Sequence, residues 1–111
     1  MKSITEYEDF DSLDIRIGTI MNAVSSDKAN KPSYQLLIDF GSIGKLKSSA
    51  QITELYLFKN LIGKQIVAVI NIGDRKILNF TSQCLILGVS SEKGVILLEP
   101  NQKIQNGSLV I

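Results

Sequence analysis

The chain has 111 residues, 44% of them hydrophobic and 21% charged, and its 12 Lys+Arg against 11 Asp+Glu leave a formal charge of +1. That size and balance predict one globular domain, residues 1–111, and argue against global disorder. With no histidine and one cysteine, no Ser-His-Asp triad, Cys-His pair or usual zinc set can be assembled, and the acidic residues are scattered among turns and the N-terminus; neither an enzyme nor a metal or cofactor is expected.

The N-terminal stretch MKSITEYEDF has neither a hydrophobic signal core nor a basic amphipathic character, and no apolar run approaches the roughly 20 residues needed to cross a bilayer; a cytoplasmic protein without membrane insertion is expected. Residues 1–14 hold five acids (Glu6, Glu8, Asp9, Asp11, Asp14) and one base, Lys2, so the remainder carries 11 Lys+Arg against 6 Asp+Glu, a net of +5. A basic body is suited to a polyanionic partner, although a solvated surface would have the same composition. Thr5 and Glu8 have the spacing of a capping box, and Ile4, Tyr7, Phe10 and Leu13 recur three apart, which predicts a short amphipathic helix within 1–13.

From Asp14 the period changes to two. Ile15, Ile17, Thr19 and Met21 alternate with Arg16, Gly18, Ile20 and Asn22, predicting a long first strand in which Gly18 permits a bend or bulge. SDKANKPS then reads as a loop. YQLLIDFG alternates with Tyr34, Leu36, Ile38 and Phe40 on one face, and Gly41 to Gly44 turn into KLKSSAQI, whose Leu46, Ser48 and Ala50 face one way and Lys45, Lys47, Ser49 and Gln51 the other. Thr53 is placed to cap a helix over ELYLFKNLI with a stripe of Leu55, Phe58 and Ile62, ended by Gly63.

KQIVAVINI is apolar on both faces, as a central strand is. GDRK reads as a turn carrying Arg75 and Lys76. SQCLILGVS and GVILLEP read as two more strands, with Cys84 a buried hydrophobe, and KIQNGSLVI adds an Asn-Gly turn and an apolar end. A strand-rich chain with one helix between its third and fourth strands fits a five-stranded oligonucleotide/oligosaccharide-binding barrel, the OB-fold, with a short N-terminal helix and extra C-terminal strands.

In such a barrel the KLKSSAQI strand and the GDRK segment are placed to share one surface. Lys45 and Lys47 stand about 6.6 to 6.8 Å apart along a strand, a spacing that tracks phosphates while Ser49 and Gln51 donate hydrogen bonds; an ordinary solvated strand face would show the same alternation. Arg75 and Lys76 are either a phosphate clamp or plain turn residues. Aromatic residues number only seven and most fall on apolar stripes, Phe80 among the expected core, so recognition of shape and backbone in a structured RNA is favoured over base stacking.

Taken together, DFDSLDIRIGTI, LLIDFG, KLKSSAQIT, IVAVINI, RKILNF with SQCLILG, and LLEPNQKIQNGSLVI resemble the tRNA-binding-domain family across essentially the whole chain. Within it, the Ser-Ser-Ala-Gln-Ile form at 48–52 resembles the CsaA branch, where typical members resemble Val-Ser-Gly-Ile-Ala. At 82–85 typical members have Ser-Glu-Gly-Met; here Ser82 carries over, followed by Gln83, Cys84 and Leu85. Prolines usual before the Arg/Lys pair are replaced by Gly73 and Asp74, which places a carboxylate beside the pair.

The resemblance implies an ATP-independent, export-related chaperone that binds unfolded or precursor polypeptides and retains a tRNA-binding surface. It assigns Lys45, Lys47, Ser49, Gln51, Arg75, Lys76 and Ser82 to nucleic-acid binding. It also implies a homodimer built from segments 1–13 and 100–111, through Ile4, Tyr7, Phe10, Leu13, Leu109, Val110 and Ile111; the competing reading packs these side chains on the protein's own barrel. A tRNA-binding accessory protein acting through the basic face is the alternative function.

Overall fold

The computed structural model describes residues 1–26 and 32–111, so the loop expected at SDKANKPS lies largely outside the described residues. Its frame is a curled five-stranded sheet. The first strand, β1 (Ile15–Ser26), is twelve residues long and serves two neighbours: Thr19–Ser26 pairs antiparallel with β2 (Ser33–Asp39), while Ile15–Thr19 pairs with β4 (Gln65–Val69). With β3 (Lys45–Ala50) beside β2 and β7 (Leu85–Ile86) beside β4, the order is β3-β2-β1-β4-β7, and the sheet curls into the half-barrel of an OB-fold.

Alternation explains the core. Tyr34, Leu36, Ile38 and Phe40 are all buried, with Ile20, Ile66 and Ala68 from the neighbouring strands. The buried Tyr34 keeps its hydroxyl satisfied by donating to the carbonyl of Tyr56 at 2.7 Å. In β1 the irregularity falls between Ile20 and Asn22, leaving Met21 exposed, instead of at Gly18. Gly18 answers a packing need: a Cβ there would come within 2.7 Å of Ile38 Cγ2 and Phe40 Cε1.

The helix between the third and fourth strands, α2 (Phe58–Leu61), is shorter than expected, and its buried residue is Leu61. Leu55, Phe58 and Ile62, the expected buried stripe, are exposed. Leu57 occupies the N-cap position, and Thr53 does not cap the helix. Gly63 ends the segment at φ +86, where its N–H donates to Ile20 O at 2.8 Å.

At the N-terminus α1 (Tyr7–Asp11) has only five residues, with Glu6 at the N-cap; the Thr5 hydroxyl donates to the Asp9 carboxylate, so the expected capping box is absent. Ile4 is 90% exposed and Tyr7 72%, with Phe10 and Leu13 less so, and this stripe does not pack on the barrel. Asn71 ties the segment down: its Oδ1 accepts from Asp14 N at 2.7 Å and its Nδ2 donates to Ser12 O at 2.8 Å.

The C-terminal segment runs along the remaining edge of β1. Ile17 N donates to Ser108 O, Gly107 N to Ile17 O and Val110 N to Ile15 O, with one bridge between Arg16 and Leu109. Gln65 holds the approach like a missing strand, its Nε2 donating to Ile104 O at 2.6 Å and its Oε1 accepting from Ile104 N at 3.1 Å. Two hairpins complete the molecule: β5 (Arg75–Ile77) with β6 (Phe80–Ser82), and β8 (Gly88–Ser91) with β9 (Gly94–Leu97). Arg75 and Lys76 therefore lie on a strand, not on the expected GDRK turn, because they pair with Ser82 and Thr81.

Candidate nucleic-acid interface

The outer edge of β3 closes against the segment that follows the β5–β6 hairpin. Lys47 N donates to Gln83 Oε1 at 2.9 Å and Gln83 N to Lys47 O at 2.7 Å. One step along, Ser49 N donates to Ser82 Oγ at 3.0 Å, and Ser48 Oγ donates to Cys84 O at 2.9 Å. Since Ser82 is also the register partner of Arg75, Ser49, Ser82 and Arg75 fall on successive strands.

Three of the predicted residues meet at a cleft of about 330 Å³ whose lining includes Ser49, Gln51 and Arg75 together with Ile77, Leu85 and Leu97. Arg75 and Leu85 also line a neighbouring cleft of about 230 Å³ that includes Asp74 and Cys84. Arg75 thus stands between two adjoining clefts, and Asp74 lines the second.

The other predicted residues are arranged differently. Lys47 is exposed, and its Nζ sits 5.4 Å from the centre of the Phe80 ring. Phe80 is half-buried, neither the core residue expected nor a free stacking platform. Lys45 pairs with Asp39 at the opposite end of β3 from Gln51, and strand alternation sends Lys76 to the other face of β5 from Arg75. Ser82 is buried with its hydroxyl already engaged, so its place is behind the surface, holding Ser49.

Two features were not anticipated. Gln83, one polar residue before an apolar run, is the side-chain clamp on the Lys47 backbone. Leu78 turns the β5–β6 hairpin at φ +56, a left-handed conformation that costs a leucine about 1–3 kcal/mol. Beneath the face, burial pushes the Cys84 thiol up to about 11, against a smaller lowering from its hydrogen bond with Ser48. Such a thiol is protonated and unreactive at neutral pH.

Residues 15–109 match the family described as "Putative tRNA binding domain". The crystal structure of the chaperone CsaA from Bacillus anthracis is 43% identical, superposes with a TM-score of 0.93, and is matched over 98% of this chain and 100% of its own. The chain belongs to the CsaA branch of the tRNA-binding-domain family. The CsaA chaperone protein of Picrophilus torridus is 41% identical with a TM-score of 0.92, covering 97% of this chain and 100% of that one. A methionine–tRNA ligase from Protochlamydia amoebophila is 36% identical over 99% of this chain, which spans only 15% of the ligase's length. CsaA proteins and a segment of the ligase therefore share this barrel with the present chain.

Proposed function

We propose that this CsaA-type chain works as a homodimeric, ATP-independent chaperone that binds unfolded or precursor polypeptides in the cytoplasm, in support of export, and keeps a tRNA-binding surface. The observation that carries the reading is the full-length match to two proteins described as CsaA chaperones, at 41% and 43% identity. Binding, with no chemical step, is the whole activity proposed.

The dimer reading draws support from exposure at both ends of the chain. Ile4, Tyr7, Phe10, Leu13, Leu109 and Ile111 present apolar surface that the barrel does not cover, and Val110 is held beside them by its N–H to Ile15 O. A two-fold axis through these segments would duplicate the basic face.

A second reading, a tRNA-binding accessory protein, is favoured by the ligase segment and by the setting of Lys47 and Arg75. In it Lys45, Lys47, Arg75 and Lys76 attract phosphates, Ser49 and Gln51 supply hydrogen bonds, and Ser82 supports the strand. Purification of the protein from its own cell without nuclease distinguishes the two. Polypeptides recovered in near-stoichiometric amounts support the chaperone; RNA alone at that level supports the accessory protein.

A further inference from the structure

We propose that Leu78 is an RNA-contact residue, an apolar tip that meets an unstacked base or its ribose while the neighbouring cations hold phosphate. The inference rests on the retained RNA-binding surface and adds to it a residue and the kind of RNA feature it reads.

Among the described residues Leu78 is the one non-glycine residue with positive φ, at +56. Glycine is the default at such a position, because a Cβ crowds the backbone there. Strain of this kind persists where packing or function returns it, and packing does not: Leu78 is 58% exposed and stands outside the buried cluster. A large apolar side chain is therefore held out to solvent at the end of a hairpin where glycine would be easier.

The surroundings select the partner. The hairpin behind Leu78 carries Arg75 and Lys76, and Lys47 reaches over the Phe80 ring two residues beyond it; Asp74 is the acid preceding the pair. Arg75 and Lys76, on opposite faces of the hairpin that Leu78 turns, and Lys47 over the Phe80 ring leave this end of the molecule net basic against the single Asp74, which favours a polyanion that also offers apolar surface. Structured RNA does so at loops and bulges, where bases leave the stack, whereas a continuous A-form duplex withholds them. Apolar side chains placed against base steps play this part in other nucleic-acid complexes.

The test compares wild type, Leu78→Ala and Leu78→Gly in titrations with unfractionated tRNA, a fully paired RNA duplex and a reduced, unfolded polypeptide, over a series of salt concentrations. Both variants should bind tRNA about five- to tenfold more weakly, with the salt slope of wild type because no charge is lost, and with duplex and polypeptide binding unchanged. Leu78→Gly should melt above Leu78→Ala by about 4 °C, since only glycine relieves the backbone. Unchanged tRNA affinity, an equal loss on the duplex, a reduced slope or loss of polypeptide binding would each overturn the contact, and equal melting temperatures would remove the strain it rests on. Wild type that fails to bind tRNA at all would instead overturn the RNA-binding reading itself.

Discussion

The buried hydroxyl of Ser82 accepts the backbone N–H of Ser49 at 3.0 Å, joining the hairpin that carries Arg75 to the strand that carries Lys47. Ser82→Ala leaves that N–H without its partner at a covered edge, which costs about 1–3 kcal/mol. Urea unfolding should show a lower midpoint at unchanged slope. Ser82→Thr keeps the acceptor and should recover part of the loss.

Gly18 faces Ile38 and Phe40, and a methyl group there would stand within 2.7 Å of both. Both neighbours are fully buried and cannot move aside freely. Gly18→Ala is expected to destabilise by about 1–3 kcal/mol or more through overpacking. Thermal unfolding measures it; an unchanged melting temperature would mean that β1 shifts without cost.

Gln65 is the clamp on the C-terminal segment through both backbone groups of Ile104, and it also donates to Asn106 Oδ1 at 3.1 Å. Gln65→Ala removes all three bonds. Amide hydrogen exchange should accelerate at Ile104 while the amides of β2 stay protected, because the loss is local to one edge.

Cys84 gives the stability a defined alkaline limb. The folded protein holds the thiol proton to about pH 11, whereas the unfolded chain releases it near 9.0. Between these values the native state binds more protons, so stability falls as pH rises from 9 to 11 and is unaffected by this group below 9. The stability difference between wild type and Cys84→Ala should decline by on the order of 2 to 3 kcal/mol over that interval. A difference that stays constant from pH 8 to 11 would show that the thiol does not titrate differently in the two states.

Much of the barrel was legible because strand period translates directly into burial. Tyr34, Leu36, Ile38 and Phe40 are the example: every second residue is apolar, and every one is buried. The opposed faces of Lys47 and Ser48 followed from the same period. Helical stripes misled because they were too short to be helices for long; Leu55, Phe58 and Ile62 share a spacing, but only four residues are helical and Leu61 takes the core position. Gly73 and Asp74 are strong turn formers and point to a turn that takes in Arg75 and Lys76, while the three-residue strands that pair Arg75 with Ser82 and Lys76 with Thr81 are too short to show alternation. Side-chain clamps such as Gln83 and Gln65 have no period at all, since a single amide mimicking a backbone depends on where two distant segments meet.

Protection of unfolded polypeptides is the activity proposed for this barrel. The most direct measurement is light scattering from a chemically unfolded client diluted into buffer without ATP, with the protein present at one dimer per client and the dimer verified by sedimentation in the same buffer. Scattering should fall in proportion to the dimer added and level off near stoichiometry. A verified dimer that leaves the scattering of several unrelated clients unchanged would contradict the chaperone reading and leave the tRNA-binding accessory role as the function of this face.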